Sequence, residues 1–248
     1  MSWEKTLDQL ENGTIRAAEP KGDVWEANIA VKEAILSAFK AGKNSEYGGI
    51  YEGFVDKDNI PPRMFDVEDG VRLVPGGSSV RRGAFVAKGV IIMPPAYINI
   101  GAYVDEGTMV DSHALVGSCA QIGKNVHLSA GVQIGGVLEP VGLSPVVIED
   151  DCFIGAGAVI VEGILVKKRA VIAPGVTLSR SVPVYDCVNK VVLGKGVAIP
   201  ENAVVVPGTR PVGSAWANEL GLSVACPLII KYRDAGSDAS LELEEALR

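Results

Sequence analysis

The stretch Ile98-Asn-Ile-Gly-Ala-Tyr-Val104-Asp-Glu-Gly-Thr-Met-Val110-Asp-Ser-His-Ala-Leu-Val116 places an aliphatic residue at every sixth position. The same period runs upstream through Val74, Val80, Val86 and Ile92, and downstream through Ile122, Leu128 and Ile134. It slips through Pro140–Val147 and resumes at Ile148, Ile154, Ile160, Val166, Ile172 and Leu178. After a second slip come Ile199 and Val205. The fifth position of these hexads is Ser, Thr, Ala or Val, except at Leu138, Cys152 and Ile164. A helix would repeat its apolar residues every 3.6 positions and a half-exposed strand every 2. A period of six is the signature of a parallel β-helix.

Each hexad is then one short strand and a bend, and three hexads make a triangular coil. The leading aliphatic points inward and stacks on its counterparts above and below. The fifth side chain also points in, near a corner, and must be small. Gly101, Gly107, Gly117, Gly123, Gly155 and Gly175 suit bends that need positive φ. Counting by threes puts the hexads of Val74, Ile92, Val110 and Leu128 on one face. Those of Val80, Ile98, Val116 and Ile134 share the next, and those of Val86, Val104 and Ile122 the third.

The flanks do not carry the repeat. Val24, Ile29, Val31, Ile35, Leu36 and Phe39 have helical spacing, with Asp23 as N-cap and Gly42 as stop. Residues 3–11 read as another short helix. Residues 1–71 are therefore expected to form a small α-helical N-terminal domain. A mainly β region, 72–210, follows, with an inserted loop near 140–147 that leaves at one corner, where solenoids usually carry function. Val184–Ala198 reads as a hairpin, Gly221–Arg233 as a strand and Leu241–Arg248 as a short helix. Residues 211–248 are expected to form a short C-terminal cap, since a solenoid has open ends.

At 248 residues and 48% hydrophobic, the chain suffices for one large domain or a solenoid with small flanking pieces. No apolar run approaches the roughly 18–20 residues of a membrane span. The start, Met1-Ser-Trp-Glu-Lys, lacks the apolar core of a signal peptide. The sequence predicts a soluble, cytoplasmic protein with no membrane partner. A net charge of −7 argues against nucleic acid, although a local basic patch can still bind anions. The cysteines Cys119, Cys152, Cys187 and Cys226 form no CxxC pair, so neither disulfides nor structural zinc are expected. Cys152, at a fifth position, reads as a small core residue.

A hexapeptide prism does not by itself specify a function. It suits an acyltransferase using acyl-CoA, a carbonic-anhydrase-like metal enzyme, or a non-catalytic interaction module. The metal enzyme needs three histidines; this chain has His113 and His127, spaced by 14 residues rather than the 18 that would stack them. No metal is expected.

The run from Asn99 to Asp111, followed by Val116-Gly-Ser-Cys-Ala-Gln-Ile-Gly-Lys-Asn-Val-His-Leu-Ser, resembles the tetrahydrodipicolinate N-succinyltransferases of bacterial lysine biosynthesis. Ile134-Gly-Gly-Val-Leu-Glu-Pro, Ile148-Glu-Asp-Asp-Cys-Phe-Ile-Gly-Ala, Leu10-Glu-Asn-Gly-Thr-Ile-Arg and Val80-Arg-Arg-Gly-Ala-Phe-Val-Ala agree. The match weakens after Pro183, and the N-terminal part is shorter than usual. The resemblance implies a left-handed coil, which the spacing alone does not show, since parallel crossovers are normally right-handed. It implies a homotrimer with active sites between prisms. It implies that succinyl-CoA, tetrahydrodipicolinate and water give N-succinyl-2-amino-6-oxopimelate and CoA. N-acetyl transfer to the same or a related amino-acid acceptor is the alternative.

The resemblance also assigns roles. Asp111 matches the general base that frees an amine lone pair for attack on the thioester; the competing role is an Asp that caps a bend, to which Asp105 is better suited. Arg72 matches a residue that contacts the dicarboxylate, with Arg81 and Arg82 as fallbacks. His127 reads as a packed or interface residue. Gly155, Ala156, Gly157, Ala173 and Gly175 supply the small residues that a pantetheine arm needs. Lys167-Lys-Arg169, Lys190 and Lys195 are candidates for the CoA phosphates. Relatives carry a Glu where this chain has Val159. By the hexad count Val159 shares the face of Asp111, while Glu162 lies past the next bend and does not substitute.

Overall fold

The computed structural model describes residues 2–234. The helix expected over Leu241–Arg248 lies outside them. The hexads fold into a left-handed parallel β-helix whose rungs are two-residue strands, each ending on the leading aliphatic. The first face stacks Leu73, Ile92, Val110, Leu128, Ile154, Ile172 and Val205. The second stacks Val80, Ile98, Val116, Ile134, Ile160 and Leu178. The third stacks Val86, Val104, Ile122, Ile148 and Val166, with Ile199 bridged below. The leading residues from Ile98 to Ile172 are fully buried. Ala102, Thr108, Ala114, Ala120, Val126 and Val132 fill the corners beside them. We call the corner between the first and second faces the first corner, and the others, in chain order, the second and third.

The face assignment stands, with one change at the start. Leu73, not Val74, pairs with Ile92, so the first rung is displaced by one residue. The cause is the bend that follows: Pro75-Gly-Gly-Ser-Ser holds one residue more than a hexad allows, and Gly76 and Gly77 take φ of 141° and 96°. The glycines divide into two kinds. Gly101, Gly107 and Gly175 are left-handed, with φ near 72°. Gly117, Gly123 and Gly155 are not: a Cβ on Gly117 would lie 2.2 Å from the backbone N of Gly136 on the next coil. There the requirement is close approach of coils rather than an unusual φ.

The N-terminal part holds α1 (Trp3–Glu11) and α2 (Ile29–Ala41). α2 starts later than its apolar spacing suggests. Asn28, not Asp23, is its N-cap, and Val24–Ala27 instead pairs with Ala18–Lys21 as a hairpin. The β-branched and aromatic pair Val24-Trp25 favours that strand. Leu7, Leu10, Val31 and Ile35 pack with Ile100 and Cys119 of the prism. Arg16 lies 3.6 Å from the Tyr103 ring centroid and donates to Gln121 Oε1 at 2.9 Å, covering the third face.

The loop near 140–147 leaves at the second corner and docks on these elements. The buried Lys32 Nζ donates to the Leu143 carbonyl at 2.6 Å, and Ser144 Oγ donates to the Trp25 carbonyl at 2.7 Å. The loop anchors the N-terminal part instead of framing the first corner. At the lower end Val184–Asp186 and Val191–Leu193 form the expected hairpin. Ser223–Tyr232 runs antiparallel to Ala203–Pro211, with α3 (Ala215–Glu219) between them. Ile229 and Val184 close the bottom of the prism core. Cys152 is buried in that core, and burial pushes its thiol up to about 12.

Candidate active site

At the first corner the bends follow first-face strands in an unbroken ladder. Asp111 N–H donates to the Leu128 carbonyl, Ser129 N–H to Ile154, Gly155 N–H to Ile172 and Ala173 N–H to Val205, all within 2.7–2.9 Å. One column therefore holds Asp111, Ser129, Gly155 and Ala173. The left-handed position of these bends is His113, Gly131, Gly157 and Gly175 in turn. A Cβ on Gly157 or Gly175 would meet no atom within 4 Å, so the corner is open in front of both. At about 4.8 Å per coil, Asp111 stands about 10 Å above Gly155 along the prism axis.

The column ends in a cavity of about 320 Å³ lined by Gly175, Thr177, Pro207, Gly208, Ala225 and Cys226. Burial pushes the Cys226 thiol up. Apart from Gly175, these residues lie outside the sequence-based candidates, because the cavity exists only where the arm of Ala203–Pro211 and Ser223–Tyr232 folds back past the last bend. The Pro207-Gly208 and Cys226-Pro227 pairs are the only local trace of it, and they are register partners across the arm.

Asp111 is half-buried. Its Oδ1 accepts from Ser112 N–H at 2.7 Å. Arg72 lies on the first face in the outward column of Ile91 and Met109, exposed and without an ion pair among the described residues. It stands about 10 Å, two coils, above Met109. Arg81 is elsewhere, past the second face at the second corner. There it pairs with Asp56 and its guanidinium lies 5.1 Å from the Phe39 ring centroid. Arg82 pairs with Asp8 at 3.0 Å. The structure thus brings Arg72, and not Arg81 or Arg82, onto the face that leads to Asp111.

The cations proposed for phosphates do not gather at this corner within one chain. Lys167, Lys168 and Arg169 lie at the third corner. Lys167 faces Asp23 at 3.7 Å, Lys168 pairs with Asp150 at 3.1 Å, and Arg169 donates to Asn202 Oδ1 at 2.9 Å. Lys190 sits in the hairpin turn, where its neighbour Asn189 bonds Tyr232 Oη at 3.1 Å, at the opposite end of the first-face strands from Ala173. Lys195 is exposed on the returning loop, next to Gly196, which lies against Arg180.

His127 is outward on the first face, stacked on Phe153 at 4.8 Å and 16°. Val159 does not share Asp111's face. It opens a second-face strand, pairing with Gln133 and Thr177, and so lies on the other flank of the first corner. The sixth residue of a hexad belongs to the next strand, which the hexad count alone does not reveal. Glu162 is at the second corner, where its Oε2 accepts from Arg180 N–H at 2.9 Å. Among the described residues no three His, Cys, Asp or Glu side chains converge on a metal-binding point. No helix among them is long and apolar enough to cross a membrane.

Residues 145–180 match the hexapeptide repeat of succinyltransferases, and residues 3–41 match the tetrahydrodipicolinate N-succinyltransferase N-terminal domain. The chain is 45% identical to the 2,3,4,5-tetrahydropyridine-2,6-dicarboxylate N-succinyltransferase of Bordetella pertussis, covering 99% of this chain and 88% of that one. The chain belongs to the tetrahydrodipicolinate N-succinyltransferase family. The family member of Alkalilimnicola ehrlichii is 46% identical over the same shares. A Campylobacter jejuni crystal structure, assigned as a 2,3,4,5-tetrahydropyridine-2-carboxylate N-succinyltransferase, superposes with a TM-score of 0.63 at 17% identity. It covers 92% of this chain, which spans 63% of that longer one, and supports the fold of this family member.

Proposed function

We propose that this enzyme transfers a succinyl group from succinyl-CoA to the amine of tetrahydrodipicolinate, ring-opened by water as 2-amino-6-oxopimelate, in the lysine and diaminopimelate pathway. The observation that carries the mechanism is the first-corner column, with a carboxylate at its upper end and small residues leading to a cavity at its lower end. The column from Asp111 to Gly175 is about 14 Å long, three coils, a span that an extended pantetheine arm matches. In this reading the arm lies against Gly155, Ala156, Gly157, Ala173 and Gly175 and brings the thioester to Asp111.

The amine nitrogen attacks the thioester carbon and forms the new C–N bond. The C–S bond breaks and its electron pair leaves on sulfur. Asp111 takes the proton from nitrogen and passes it to the thiolate, so CoA departs as the thiol. Arg72 offers two parallel N–H donors to a substrate carboxylate. Val159 supplies no second carboxylate, so Asp111 is the sole base.

The reading includes a homotrimer, with each corner completed by a neighbouring prism. The half-buried outer residues of the first face, Ile91, Met109, Phe153 and Val171, support it. So do the exposed Ile50, Phe54, Met64 and Val67 of the N-terminal part and Trp216, Leu220 and Leu222 on the arm, because a monomer rarely exposes so much apolar surface. In a trimer the neighbour can also bring Arg81, Lys190 or Lys195 toward a corner that they do not reach in their own chain. The division into a domain of residues 1–71, a prism of 72–210 and a cap of 211–248 belongs to the same reading.

The test is thiol release on tetrahydrodipicolinate with succinyl-CoA against acetyl-CoA. Faster turnover with succinyl-CoA is expected; faster turnover with acetyl-CoA establishes the acetyl alternative, and none with either leaves an interaction module. Light scattering of the active enzyme should give three chains.

A further inference from the structure

Two glutamines make the same unusual pair of bonds, at two different corners. Gln121 Nε2 donates to the carbonyl of Cys119 at 2.9 Å and of Gly101 at 3.5 Å. Gln133 Nε2 donates to the carbonyl of Gly131 at 3.1 Å and of His113 at 3.3 Å. In each case the acceptors are the left-handed residues of two successive bends, so one amide ties a bend to the one above it. At the second corner the device serves packing: Gln121 is fully buried and its Oε1 is held by Arg16 of the N-terminal part. At the first corner Gln133 is half-buried and ties down the bend that carries Asp111.

That bend needs a tie. Of the four bends from Asp111 to Val176 at this corner, three place glycine at the left-handed position, and the first places His113 at φ 62°. A side chain in that region costs about 1 kcal/mol and persists where its surroundings hold it. His113 is held at both ends of its backbone: its N–H donates to the Pro95 carbonyl at 2.5 Å, and its carbonyl accepts from Gln133. Ser112 is held likewise, its carbonyl accepting from Gly131 N–H at 2.8 Å. The Ser112 N–H is the group that fixes the Asp111 carboxylate.

We propose that Gln133 is a positioning residue for acyl transfer, which holds the strained Ser112–His113 bend and through it aims the Asp111 carboxylate at the first corner. The proposal rests on the reading of Asp111 as the base.

The experiment compares Gln133→Leu, Gln133→Glu, Gln121→Leu and Asp111→Asn in the intact enzyme, by steady-state kinetics over pH and by thermal melting. Both Gln133 variants are expected to lower kcat by about ten-fold or more while KM for succinyl-CoA stays within about two-fold, the pattern of a misplaced rather than a missing group. Gln133→Glu keeps the side-chain shape, so it serves if the Leu variant does not fold. It also places a second negative charge about one coil from Asp111, which should move the acid limb of kcat/KM upward if Asp111 is the titrating base; the kcat loss at constant KM is what separates positioning from a purely structural role. Gln121→Leu should lower the melting temperature and leave the kcat of the folded enzyme unchanged. A Gln133→Leu enzyme with parental kcat, or an equal kcat loss in Gln121→Leu, overturns the proposal. If Asp111→Asn is crippled while the Gln133 variants are not, only this inference fails; if Asp111→Asn is fully active, the assignment of the base fails first.

Discussion

Asp111 and Asp105 make the same backbone bond at different corners: Asp111 Oδ1 accepts from Ser112 N–H at 2.7 Å, and Asp105 Oδ1 accepts from Glu106 N–H at 2.8 Å. Bend capping therefore does not separate a catalytic Asp from a structural one. The corner does. Asp105 stands at the third corner, one rung above Gly123 and beside the Lys124–Glu106 ion pair, whereas Asp111 heads the column of small residues.

Asn keeps the accepting oxygen of either Asp, so neither bend should unfold. Asp111→Asn should leave the assembly intact and lower kcat by about 10²–10⁴, the usual worth of a positioned base. Asp105→Asn should leave kcat unchanged. Full activity of Asp111→Asn on tetrahydrodipicolinate would remove the proposed mechanism.

Glu162 provides the contrast among the carboxylates. Its Oε2 caps the Arg180 N–H at the second corner, and Gln retains an oxygen for that bond. Glu162→Gln should therefore cost little in kcat or stability. A loss matching that of Asp111→Asn would show that Glu162 reaches the reacting atoms after all.

Two neighbouring glycines should respond oppositely to Ala. At Gly155 the added methyl would lie 2.5 Å from the Pro174 backbone N, so the coils must separate and the melting temperature should fall. At Gly157 the methyl meets nothing in the chain, and φ of 67° costs about 1 kcal/mol. That methyl points into the open corner, so Gly157→Ala should raise KM for succinyl-CoA more than it lowers stability. An unchanged KM would place the pantetheine arm elsewhere.

The thiols should separate by location. Burial pushes Cys119 and Cys152 up to about 12, and both lie in packed clusters. Iodoacetamide at about pH 8 reacts with thiolate, so it should label the exposed Cys187 and spare these two until the enzyme unfolds. Cys226 lines the cavity at the foot of the column, and any slow labelling there should be suppressed by CoA. Mass spectrometry of the labelled peptides reads out all four.

Lys32 tests the role of the inserted loop. Its Nζ is held by the Leu143 carbonyl, and burial holds its pKa below the usual lysine range. Lys32→Ala leaves a hole and an unbonded carbonyl, which should cost about 2–4 kcal/mol. Because the loop lies away from the first corner, the kcat of the folded enzyme should not change. A kcat loss at full stability would return the loop to the active site.

By itself the sequence determined the prism, its faces and the position of its insertion. A six-residue repeat of buried aliphatics admits one register: a shift by one residue would expose every leading side chain from Val80 to Val205. It failed locally where that repeat is weakest. Leu73 and Val74 are both aliphatic, so only the pairing with Ile92 chooses between them. Val24 and Trp25 fit an amphipathic helix as well as a hairpin, and tertiary pairing with Ala18–Lys21 decided. Asp111 was legible as a candidate through the resemblance to the family, and Gly155 and Ala173 through their small size on a common face of the repeat. What needed the tertiary structure was everything that depends on direction around the prism. The corner occupied by Arg81 and Lys190, the flank taken by Val159, the cavity beneath Gly175 and the tie from Gln133 to His113 join residues on different coils or elements. Those contacts are set by how coils close and flanks fold back, which a linear period does not encode.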